Sequence, residues 1–263
     1  MAAGDVSVRI SRTRGFACNL FDGVDDYIEI AHTGFELGTN YTAEGMTVSA
    51  WILPFSMGEG DLGMIIGKVN GTSAENGWKF RLDTAGALAC RINAGTVIKS
   101  ANGSIIGSGE TWYHVLMTIA TNATVSFYIN GVISGTPAAT NALTDITTTN
   151  AIRIGNRSTA TDQTFKGGIR EVKMWKKVLS AAEIANDYAG IKQPDKLQHY
   201  WHLGGRYTDG GTIGETAVNS GSVSTIEDDT LAAAAASIRV GSGDKWMLFQ
   251  GEGGDIGVIN ING

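Results

Sequence analysis

TWYHVLMTIATNATVSFYINGVISG, from Thr111 to Gly135, and GGIREVKMWKKVLSAAEI, from Gly167 to Ile184, decide the fold. In the first stretch, two runs rich in Val, Ile, Tyr and Phe flank Asn130-Gly131, the strongest short-range hairpin signal. Asn and Gly tolerate the positive φ that a type I′ turn demands, and such a turn matches the twist of paired strands. In the second, a strand ends at Lys177, and Ser180-Ala-Ala-Glu183 forms a capping box that opens a short helix, Ser180–Ala189. The two together predict an all-β chain, an antiparallel β-sandwich with one short helix.

Further strand-like runs surround these two. Phe16–Phe21, Tyr27–Ala31, Met46–Leu53, Gly63–Val69, Trp78–Leu82, Ala87–Ile92 and Thr96–Ser100 come before them, and Ala151–Ile154 lies between. Spacings of about 8–12 residues with Gly, Asn, Asp or Ser between the runs fit a sandwich or barrel. Alternation places Ile28 and Ile30 on one face of their strand, and points Trp78, Phe80 and Leu82 toward a core. Leu197–Leu203 adds one more strand. Residues 1–14, polar and basic, read as an N-terminal arm, and 15–230 as the jelly-roll sandwich. Residues 231–263 read as a C-terminal β extension, in which an alanine run precedes two or three strands. That extension is too short to fold without packing on something else.

Composition narrows the function. Hydrophobic residues at 43% and charged residues at 17% suffice for a packed core, and 36 Gly against 3 Pro suit short strands joined by tight turns. A net charge of −6 without any Lys/Arg cluster argues against a nucleic-acid partner. No run reaches the ~18 apolar residues of a membrane span, so no membrane insertion is expected. Cys18 and Cys90 sit in apolar strand-like runs and read as small buried hydrophobes, a disulfide between them being left open. The first residues carry no apolar signal-peptide core, so the expectation is a chain made in a cytoplasm.

The ordered series of motifs resembles a known family. Phe21-Asp-Gly-Val-Asp-Asp-Tyr-Ile-Glu-Ile30, Met46-Thr-Val-Ser-Ala-Trp-Ile52, Gly77-Trp-Lys-Phe-Arg-Leu82 and Thr111-Trp-Tyr-His-Val115 look like a laminin-G-like, concanavalin-A-like lectin-glucanase jelly roll. Phe127-Tyr-Ile-Asn-Gly-Val132, Gly168-Ile-Arg-Glu-Val-Lys-Met-Trp175 and Leu179-Ser-Ala-Ala-Glu-Ile184 continue it in the family's order. The resemblance implies a scaffold that recognises carbohydrate or protein, often with a structural calcium. No cofactor is required, and calcium is admitted. Asp22, Asp25 and Asp26 are its candidate ligands, because a turn can converge carboxylates and carbonyls on a hard cation. The same residues are also ordinary turn formers that bond their own backbone. Arg170 stands where relatives commonly carry an Asp, and its guanidinium is expected to neutralise Asp22 or Asp26 in a cation's place.

Catalysis finds no constellation. Glycan hydrolysis needs two carboxylates about 5–9 Å apart, and no Glu-x-Asp-x-x-Glu run supplies them. Glu171 faces Lys173 as an expected surface ion pair, and no Gly-x-Ser-x-Gly elbow occurs. Gly58-Glu-Gly-Asp-Leu-Gly63 matches a phosphate-loop spacing, but a strand rather than a helix follows it. Trp51, Trp112 and Trp175 read as core. Tyr41, Asn70, Asn156 and Arg157, in loops, are the candidate glycan contacts. The first expectation is a non-catalytic virion subunit, a phage surface, decoration or capsid-associated protein on a virion or extracellular surface. Its partners would be other subunits of a capsid or fibre, in a homo-oligomer. The alternative is a carbohydrate-binding module or lectin of a secreted polysaccharide-acting system, with a glycan as partner.

Overall fold

The computed structural model describes residues 18–30, 44–70, 76–92, 97–100, 106, 111–139, 151–157, 162–204, 206–209, 217–220, 224–226, 246–250 and 256–260. The chain divides into two compact units, Cys18–Thr225 and the pair Met1–Ala17 with Ile226–Gly263. The expected arm, residues 1–14, and the alanine run lie outside the described residues.

The large unit is built of antiparallel strands in two sheets. The first half supplies β1 (Cys18–Asp22), β2 (Tyr27–Ile30), β3 (Met46–Pro54), β4 (Met64–Asn70), β5 (Asn76–Leu82), β6 (Leu88–Ile92) and β7 (Ile98–Lys99). The second half supplies β8 (Tyr113–Ile119), β9 (Thr124–Ile129), β10 (Val132–Ile133), β11 (Ala138–Ala139), β12 (Ile152–Ile154), β13 (Lys166–Trp175) and helix α1 (Ala181–Tyr188). After the helix come β14 (Leu197–Leu203), β15 (Arg206–Asp209), β16 (Ala217–Ser220) and β17 (Ser224–Ile226). One sheet runs β10-β9-β8-β3-β13-β1, and the other β16-β2-β12-β4-β5-β6-β7. Along one edge of β13, β1 pairs with Lys166–Ile169 and β14 with Val172–Trp175. In the small unit β18 (Trp246–Gln250) and β19 (Ile256–Asn260) form an antiparallel pair.

The inward faces of the two sheets make one core. Ile28, Ile30, Val48, Ala50, Ile52, Trp78, Phe80, Leu82, Val115 and Met117 are all fully buried, which is the period-2 pattern of strands packed on one side. Phe80 of one sheet stacks on Phe127 of the other, with ring centroids 6.2 Å apart. The hairpin expected at Asn130-Gly131 forms as read, with φ of 51° and 78° and Ile129 opposite Val132. Cys18 and Cys90 are free and buried, on strands of different sheets. Burial pushes the Cys18 thiol up to about 11 and the Cys90 thiol higher still, so neither carries thiolate at neutral pH.

Helix α1 lies on the outer face of the first sheet. Ser180 Oγ accepts the Glu183 N–H while the Glu183 carboxylate accepts the Ser180 N–H at 2.8 Å, the reciprocal capping box. Leu179 and Ile184 pack with Leu116, Trp175 and Leu197 in a second apolar cluster beneath the helix. Beside it Asp187, 1% exposed, takes hydrogen bonds from Ser49 at 2.8 Å, His114 at 3.0 Å and Lys173 at 2.7 Å. The expected ion pair of Lys173 with Glu171 forms, but away from the surface. Lys173 is buried, 3.7 Å from Glu171, and also reaches Asp187. The outer face of a sheet is dry wherever a helix covers it, which alternation along one strand cannot reveal.

Beyond Leu203 the chain adds β15, β16 and β17, which no strand-like run in the sequence marks. β16 gains its conformation from the edge it joins, Ala217 to Ser220 lying opposite Ile30 to Tyr27.

Candidate functional site

The turn between β1 and β2 is short and acidic. Gly23 at φ +82° supplies the reversal, the Asp22 carboxylate accepts the Val24 N–H at 2.7 Å, and Asp26 accepts the Asp22 N–H at 2.9 Å. Asp22, Asp25 and Asp26 each bring one carboxylate oxygen to within 4.8 Å of the others, Asp26 buried and the other two exposed. Each carboxylate has about four lone-pair positions, so an accepted N–H does not exhaust it.

Two further loops meet this turn. Thr164, fully buried, donates its hydroxyl to the Val24 carbonyl at 3.0 Å and accepts from Asn156 Nδ2 at 2.6 Å. The Glu59 carboxylate, from the loop between β3 and β4, stands 3.4 Å from the same hydroxyl. Glu59 N–H in turn bonds the Thr164 carbonyl at 2.9 Å. Phe21 meets Phe165 edge-on below the turn, and Gly155 is required there because a Cβ would fall 2.1 Å from the Phe21 ring. The rim is thus three loops tied through one threonine.

The sequence candidates divide here. Asp22, Asp25 and Asp26 do come together. Asn156 lies at the same rim but is fully buried, its amide nitrogen on Thr164 and its oxygen accepting the Arg157 N–H at 2.8 Å. Arg157, also buried, pairs with Asp162, and its carbonyl accepts from Arg153 at 3.1 Å. Both hold the loop's shape rather than face outward as glycan contacts. Tyr41 lies outside the described residues. Asn70 ends β4, opposite Asn76.

Arg170 is a correction. Asp22 lies opposite Lys166 on β13, so Arg170 is four residues, about 13 Å, farther along that strand. Its guanidinium lies over the rings of Trp51 at 5.2 Å and Trp112 at 4.8 Å, and it does not stand in for a cation among the aspartates. The neighbour of the acidic turn is instead Lys166, whose side-chain stem crosses Gly23. Of the tryptophans read as core, Trp175 is fully buried. Trp51 and Trp112 are only half-buried, on the outer face of the first sheet. Thr164 and Glu59 escaped the sequence reading because nothing local marks a residue whose partner is more than a hundred positions away.

With this architecture in view, residues 22–185 match the family model of the concanavalin A-like lectin/glucanases superfamily. The chain belongs to this family. The lectin/glucanase match begins at the acidic turn and ends within α1, so it contains every rim loop described above. No curated protein sequence matches the chain. Among solved structures, a candidate carbohydrate-binding protein from Bacteroides ovatus superposes with a TM-score of 0.55 at 15% identity, covering 80% of this chain. The chain spans 59% of that protein's length. The native heptameric SAP-like pentraxin from Limulus polyphemus superposes with a TM-score of 0.56 at 15% identity, over 80% of this chain and 94% of the pentraxin. At this identity both show a shared lectin/glucanase fold.

Proposed function

We propose that this chain is a non-catalytic carbohydrate-binding module, lectin-like in architecture, whose rim acids hold a structural calcium ion. The observation that carries the reading is membership of a lectin/glucanase family over residues 22–185. The fold shared with the Bacteroides ovatus protein supports it. These findings favour the second sequence expectation, a carbohydrate-binding module, over the first, a virion subunit. The heptameric state of the Limulus polyphemus pentraxin supports keeping homo-oligomerisation within the proposal.

Binding rather than hydrolysis fits the acids on the helix-bearing face. A glycosidase needs a carboxyl that can donate a proton near neutral pH. Burial pushes the Asp187 carboxyl up, but the hydrogen bond from His114 and the charge of Lys173 outweigh burial and hold it at about 2. Asp187 is a fixed counter-ion.

The rim's donor set fits calcium. Calcium takes carboxylate and carbonyl oxygens at 2.3–2.6 Å, so ligands on opposite sides stand about 5 Å apart. The aspartate oxygens lie within 4.8 Å of one another. Asp22, Asp25 and Asp26 would hold the ion, which would fasten the turn that Thr164 already ties to its neighbours.

The reading is tested by mixing purified chain with insoluble polysaccharides of several classes and measuring what stays in solution. Depletion by at least one polysaccharide is expected. Full recovery from all of them, by protein with a sharp thermal transition, overturns the reading.

A further inference from the structure

The outer face of the first sheet carries large aromatic groups where strand alternation in a sandwich normally places polar ones. Trp51 on β3 and Trp112 just before β8 are both half-buried, and Tyr188, the last residue of α1, is 40% exposed. Tyr188 stacks on Trp51 with ring centroids 5.8 Å apart and planes inclined by 28°. The Arg170 guanidinium lies over both indoles. Tyr188 is the exposed member of this group, and Trp51 lies stacked under its ring.

A β-bulge arranges the charges on this face. Arg170 lies opposite Trp51 and Lys173 opposite Ser49, so Glu171 and Val172 together oppose the single residue Ala50. The bulge turns Val172 into the core and keeps Arg170 and Lys173 both on the outer face. It holds Glu171 at φ +49°, a left-handed conformation that a non-glycine residue adopts at a cost and that clusters at functional positions. Glu171 lies 3.7 Å from each of Arg170 and Lys173, and Lys173 also reaches Asp187. Two cations are thus matched by two carboxylates, and the aromatic surface beside them is electrically balanced.

We propose that this face, centred on Trp112 and Tyr188 with Trp51 stacked beneath Tyr188, binds an uncharged sugar. Aromatic rings take the apolar C–H face of a pyranose, and the Tyr188 hydroxyl and the partly exposed Glu171 carboxylate are the polar groups at hand for its hydroxyls. A carboxylated or sulfated sugar finds no surplus cation here, because each positive group already shares a carboxylate. The rim acids then serve structure, and the sugar contacts lie on the helix-bearing face. This inference rests on the carbohydrate-binding reading.

Affinity electrophoresis of the full chain through gels containing neutral or carboxylated soluble polysaccharides tests it, with Trp112→Ala, Tyr188→Ala and the triple variant Asp22→Asn/Asp25→Asn/Asp26→Asn run alongside the parent. Retardation by a neutral polysaccharide is expected, weakened about tenfold or more by Trp112→Ala and by Tyr188→Ala. In the triple variant it should persist. Tyr188 is the more exposed position, so its variant decides the matter if Trp112→Ala does not give a sharp thermal transition. Folded aromatic variants that bind as the parent does would overturn this site while leaving the carbohydrate-binding reading intact. Retardation only by carboxylated polymers would overturn it equally. A parent chain retarded by none of the polymers would remove the reading and this site together.

Discussion

Asp187 shows what one side chain can hold together. It is buried in the last turn of α1 and receives hydrogen bonds from β3, β8 and β13. Removing one partner of a buried charge network leaves the others uncompensated, so Asp187→Ala should cost about 3 kcal/mol in urea unfolding. Acid should act on the same group. The carboxyl stays ionised in the folded chain down to about 2, while its ordinary value is 3.8. Below pH 4 the unfolded chain therefore binds more protons than the folded one, and stability falls as pH drops toward 2. The loss from this group should approach about 2 kcal/mol and be absent in Asp187→Ala, as measured by urea midpoints at pH 5, 3.5 and 2.5. None of this network was legible in the sequence, since Ser49 and Asp187 are separated by 138 positions. The acidic turn was legible because its three aspartates lie within five residues of one another and bonds spanning at most four residues close it. Arg170 was misplaced for the opposite reason, its neighbours being chosen by strand register.

At the scale of elements, local chemistry carried well. The Asn130-Gly131 hairpin and the Ser180–Glu183 capping box both formed as read, because each is closed by residues within a few positions of one another. Ser180→Ala should lower stability by about 1 kcal/mol, read from the urea midpoint, and should fray α1 from its first turn. What the sequence did not disclose was the bulge in β13. Two residues opposing one is a property of the pairing with β3, and the run Gly167–Trp175 alternates too irregularly to mark it. Alternation in β3 turns Trp51 outward, and the bulge keeps Arg170 on that same face, where it reaches both Trp51 and Trp112. The strands after Leu203 were missed because a short edge strand needs only a neighbour to pair with and little apolar patterning of its own.

For the whole molecule, the lectin/glucanase architecture has two distinct features: a rim of acids joined by Thr164, and an aromatic face beside α1. The rim should respond to calcium as a structural site does. Adding calcium after chelation should raise the melting temperature of the parent by a few degrees, on the order of 1 kcal/mol of linkage, and leave the triple aspartate variant unchanged. Recognition of sugar is the central claim. A glycan microarray probed with labelled full-length chain, in calcium and again in chelator, tests it most directly. The account predicts binding to a set of uncharged glycans that survives chelation; an array without signal above background in either buffer would contradict it.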